Sequence, residues 1–145
     1  MEIKPKKNWD ALYIQEWREL GFYYSRDSDL KQWWLIGSKI GLSNFISAIK
    51  SYAQNLNNTS ISEHIHLGPH QYLKIITLDK PEINSDHIGG SLTDLLKLSN
   101  LIEQKLAVTN VGSIFTIGSE YALINDYTIK FFVMDKNFDP SQIED

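Results

Sequence analysis

Two helical stripes, separated by strand-like text, constrain this chain more than any other feature. In the first, Leu42, Phe45, Ile46, Ile49, Tyr52, Ala53 and Leu56 recur at steps of three and four, while Lys50, Ser51 and Gln54 fall on the other side. Residues at those steps share one face of an α-helix, so the segment reads as a helix with one buried side. In the second, Leu92, Leu95, Leu96, Ser99, Ile102 and Leu106 form the inner stripe, and Leu98 and Leu101 widen it. Ser91 stands where an N-cap is wanted, and Asp94 makes an approximate capping box with Asp in place of Glu. Neither helix can bury its stripe alone. Each needs a layer to pack on.

The remaining text supplies strands for that layer. Phe22–Arg26 and Gln32–Ile36 read as a hairpin with Asp27 to Lys31 as its loop. Neighbours on a strand point to opposite sides, so only one of Trp33 and Trp34 need enter the core. Ile61, Glu63, Ile65 and Leu67 alternate with Ser62, His64 and His66, which is period two. Gly68-Pro69 makes a turn, and Tyr72 to Leu78 returns as the second strand. Asp79 to His87 reads as a polar loop, and Val111–Ile117 with Tyr127–Met134 as a last pair around GSEYALIND.

Trp9, Tyr13, Trp17 and Leu20 suggest a short leading helix capped by Asn8. Residues 1–7 and 137–145 read as loose tails. The order ββαββαββ therefore implies an α+β fold: a mainly antiparallel sheet of about six strands with two main helices packed on one face.

At 145 residues the chain suffices for one domain with one sizeable core, and residues 1–145 read as that domain. No apolar run approaches the roughly 20 residues that span a bilayer. The opening MEIKPKKNWD lacks the apolar segment of a secretory signal. With no cysteine, disulfides, thiol nucleophiles and cysteine-ligated zinc are excluded. A cytoplasmic protein without membrane contact is the expectation. The net charge of −4 disfavours direct nucleic-acid binding and suits a basic protein partner such as a nuclease.

Chemistry is sparse. His64 and His66 would share a strand face, where an H-x-H pair can hold one ion, with His70, Glu63, Asp86 or His87 as further donors. A pair plus candidates falls short of the three or four ligands of a zinc site, so a polar strand face is preferred to a metal centre, and no cofactor is expected. Gly89-Gly90-Ser91 is a loop and cap rather than a nucleophile elbow. Neither a phosphate loop nor a metalloprotease or dinucleotide motif is present.

The segments GFYYSRD, WWLIGSKIGLSNFI, SEHIHLGPHQYLKIIT and HIGGSLTDLLKLSNLIEQKL together resemble a family of small bacterial immunity proteins of polymorphic-toxin and contact-dependent growth inhibition systems. The likeness runs from about Gly21 to Leu106. It rests on Ser62, Glu63, His64, His66, Gly68, Pro69, Tyr72 and Leu73, then Gly90, Ser91, Leu92, Asp94 and Leu95; His70 stands outside it.

The resemblance implies a non-enzymatic protein that neutralises a cognate toxin domain by tight stoichiometric occlusion. Asp27, Asp29, Trp34, Glu63, His64, His66 and His70 are the candidate contacts. Two alternatives stand beside it: a small metal-dependent hydrolase using His64 and His66, and a homodimeric scaffold joined through the aromatic hairpin.

Overall fold

In chain order the elements are α1 (Ala11–Leu20), β1 (Phe22–Asp27), β2 (Gln32–Ser38), α2 (Lys39–Gln54), β3 (His64–Leu67) and β4 (Leu73–Thr77). Then come β5 (Glu82–Ile83), β6 (Ile88–Gly90), α3 (Leu92–Val108), β7 (Ile114–Ile117) and β8 (Thr128–Met134). The computed structural model describes residues 11–70, 72–123 and 126–143. The expected arm at 1–7, the Asn8 cap, Trp9 and the last two residues of the expected tail lie outside them.

The α+β class holds, but the arrangement differs from the expected single antiparallel sheet. The strands form two four-stranded mixed sheets, ordered β1-β2-β8-β7 and β3-β4-β6-β5. In each, the two inner strands run parallel and the outer two pair antiparallel with them. The β2–β8 contact joins Gln32 to Thr128 and Ser38 to Met134, across most of the chain. Strand periodicity carries no information about such a distant partner. The polar loop expected at 79–87 contains β5, and β6 follows it, each only two or three residues long.

Alternation places the core. Trp33, Leu35 and Gly37 of β2 and Ile129, Phe131 and Val133 of β8 are buried, while their neighbours are half-exposed. The expected split of the tryptophans is therefore seen, with Trp33 inside. Helix α2 lies on this inner face, Phe45 reaching Phe22 at 5.6 Å and Phe131 at 6.2 Å between ring centres. Its stripe is buried from Leu42 to Ala53, but the helix stops at Gln54, leaving Leu56 81% exposed in a following 3-10 turn. Helix α3 packs beside α2 and touches both sheets, at β7 of the first and β6 of the second. Its capping box forms as expected, Ser91 Oγ accepting from Asp94 N and Asp94 Oδ2 from Ser91 N, each at 3.0 Å.

Helix α1 wraps the edge of the first sheet, with the buried Trp17 ring 4.8 Å from Tyr23 and 5.2 Å from Tyr24. Its end fits tightly against α2. A Cβ on Gly41 would come 2.0 Å from the Gly21 carbonyl oxygen, so only glycine permits this approach. Residues 137–143 are not loose: Pro140 and Ser141 are buried, and Asp139 forms an ion pair with Arg18 at 2.9 Å.

Candidate functional site

The seven candidate contacts lie in separate places. Asp27 ends β1 and Asp29 lies in the turn to β2, across which Asp27 Oδ1 accepts the Leu30 amide at 2.9 Å. That bond closes the turn, a local role typical of Asp at such positions. Trp34 sits half-buried on the outer face of the first sheet, edge-on to Phe132 at 5.6 Å, its Nε1 donating to Gln32 at 2.7 Å.

His70 belongs to an aromatic cluster that holds α1 against the turn after β3. Its ring stacks on Tyr72 at 5.4 Å and lies edge-on to Trp17 at 5.2 Å, with the Tyr13 hydroxyl 2.8 Å from Nδ1. Tyr72 continues the cluster inward. Trp33 stacks on it at 5.9 Å, and the Arg26 guanidinium lies 4.6 Å above its ring. The Trp33 indole also donates to the Asn84 carbonyl at 2.8 Å, so this cluster joins the two sheets. Nothing in the spacing of Tyr13, Arg26, His70 and Tyr72 announces the cluster, because they come from α1, β1 and the β3–β4 connection.

Only Glu63, His64 and His66 are brought together. Glu63 lies just before β3, in a turn rather than in the strand as its alternation suggested, and Ile61 is exposed. Backbone bonds tie this entry to β4: Ser62 N donates to Thr77 O at 2.9 Å and Thr77 N to Glu63 O at 2.8 Å. The Tyr52 hydroxyl of α2 lies 2.6 Å from both the Glu63 carbonyl and Thr77 Oγ1, and burial pushes that phenol's pKa up. So β3 starts from a fixed point.

From there His64 and His66 project to one exposed face, their ring centres 5.1 Å apart and nearly perpendicular. His66 pairs across the sheet with Lys74, which ion-pairs with Asp86 at 3.3 Å. The hydrogen bond from Lys74 holds the Asp86 carboxyl below its ordinary range, outweighing its slight burial. His87 lies beside Asp86 but is held at 2.9 Å by Glu82. The three histidines, Lys74, Glu82 and Asp86 make an ionisable outer face on the second sheet. Of these, sequence reasoning singled out His64 and His66 and weighed Asp86 and His87. Lys74 is placed there by the β3–β4 pairing and Glu82 by the short β5–β6 pairing. Among the described residues, no group of three His, Asp or Glu side chains is gathered closely enough to hold a metal ion by itself.

A separate cleft of about 650 Å³ lies between the 80–82 segment and the 119–123 loop, lined by Lys80, Glu82, Lys97, Glu120, Tyr121 and Leu123 among others. Tyr121 is tied down there, donating to the Gly89 carbonyl at 2.7 Å. No helix among the described residues is long and apolar enough to cross a membrane.

No family model matches the chain, and no curated protein or solved structure shows significant similarity to it.

Proposed function

We propose that this chain is an immunity protein that binds a cognate toxin domain and neutralises it by stoichiometric occlusion, acting in the cytoplasm of the producing cell. The observation that carries the reading is a division of labour within the residues on which the family resemblance rests. Gly68 takes a left-handed φ of +75° against Tyr24 in the turn after β3. Tyr72 and Leu73 join the sheets and fill the core, Ser91 and Asp94 cap α3, and Leu95 is buried. The side chains of Glu63, His64 and His66 are left exposed. Residues that the fold does not need to bury are those available to a partner.

The acidic balance of the chain favours a basic partner through steering as well as contact. The test pairs this protein with the product of the adjacent reading frame. Co-expression should rescue growth, and calorimetry should give one-to-one binding that weakens in Glu63→Ala and His66→Ala. A neighbour with no toxicity, or a toxin that binds the triple Ala variant of Glu63, His64 and His66 undiminished, would sink the proposal.

A second reading, the homodimeric scaffold, has one observation in its favour. The outer face of the first sheet carries half-buried Trp34 and Phe132, and Ile114 beside them on edge strand β7 is 51% exposed. Sedimentation over a concentration series, repeated on Ile114→Lys, decides it.

A further inference from the structure

We infer that His64 and His66 form a two-imidazole site for a borderline divalent transition metal, of the copper, nickel and zinc class. The inference stands on geometry and is independent of the toxin-binding reading. Two imidazoles bound through nitrogen to one ion at the tetrahedral angle place their ring centres about 5.2 Å apart, taking a metal–nitrogen bond of about 2.1 Å. The observed separation is 5.1 Å. The ring spacing thus matches that of two imidazoles on one ion, and residues two apart on a strand already share a face.

The supporting contact also has the right sense. His64 Nδ1 lies 2.9 Å from the Ser62 carbonyl, which can only accept, so Nδ1 carries the proton and donates. In the neutral ring this leaves Nε2 as the lone-pair nitrogen, turned away from its own backbone. A backbone carbonyl holding the second nitrogen is the usual support of a ligating histidine. Ser62 adopts a left-handed φ of +79°, uncommon for a residue with a side chain, at the point where that carbonyl is aimed.

Imidazole nitrogens favour copper, nickel and zinc over the hard cations calcium and magnesium. Lys74, across the sheet from His66, would oppose a cation, but its charge is engaged by Asp86. With two protein ligands, the remaining positions of the ion go to water or to donors from outside the chain.

Calorimetric titration of the tag-free full chain with nickel(II) chloride, followed by copper(II) chloride, tests the site. One ion per chain should bind, copper more tightly than nickel. His64→Ala or His66→Ala should each weaken nickel binding by at least about tenfold, the smallest loss expected even from disturbing a supporting group. His70→Ala and His87→Ala should leave it unchanged. Both ligand positions are exposed, so circular dichroism and melting of the variants should match the parent and separate lost ligation from lost fold. An absence of nickel binding at millimolar concentration, or binding that persists in the His64→Ala/His66→Ala double variant, would overturn the inference.

Discussion

The two sheets share one plan and use it differently. Both place a parallel pair between two antiparallel edges. In the first, β2 and β8 run seven residues each, their inner side chains meet α2, and aromatic rings dominate the contacts. In the second, the strands run from two to five residues, and the outer face carries ionisable groups. Longer strands bury more apolar surface for each turn that must be closed, so the first sheet can carry the core. The second gains less from burial and depends on polar ties, among them the Tyr52 bonds to Glu63 and Thr77. A stable frame and a chemically varied face are thus built from the same topology by changing strand length and side-chain polarity.

That contrast can be broken from either side. Trp33→Ala strikes the frame at its junction with the second sheet, removing a fully buried ring and its bond to Asn84. A loss of about 3–5 kcal/mol in urea unfolding is expected; a loss under about 1 kcal/mol would mean the sheets are joined elsewhere. Tyr52→Phe removes the hydroxyl that pins the start of β3, at a cost of about 1–3 kcal/mol. Hydrogen exchange should accelerate in β3 and β4 and not in β2 and β8. Uniform acceleration would deny the two sheets separate character.

Acid titration compares the regions next. The bond from Lys74 lowers the pKa of Asp86 on the second sheet. Burial raises that of Asp139 beneath α1, but hydrogen bonds from Arg18 and Ser141 outweigh it, and the net shift is downward. A carboxyl with a lowered native pKa binds fewer protons folded than unfolded. Its stabilisation is complete above about pH 4 and lost as pH falls through the native value. Asp86→Asn and Asp139→Asn should each flatten the acid limb of a stability–pH curve and leave its slope near neutrality alone.

The smallest stability change belongs to the exposed face. His64→Ala and His66→Ala should each shift unfolding by no more than about 0.5 kcal/mol. A larger loss would make these histidines part of the frame.

Much of this was readable before folding was considered. The stripes of α2 and α3, the Ser91–Asp94 capping box, the β1–β2 hairpin and the shared face of His64 and His66 are local patterns, set by the period of a helix or strand. Three residues of β6, two of them glycine, are too few to show a period. Leu56 belongs to the helical stripe by spacing and falls outside the helix because α2 ends at Gln54.

The sequence alone therefore determined the two main helices with their apolar stripes and the longer strands, because those depend on neighbours within a few residues. Only the tertiary structure decided that there are two sheets and not one, that β2 lies parallel to β8, and that His70 joins Tyr13, Trp17 and Tyr72 while His64 and His66 remain on the open face. Those outcomes depend on which apolar surfaces meet across the chain. Burial is indifferent to sequence separation, so periodicity cannot announce them.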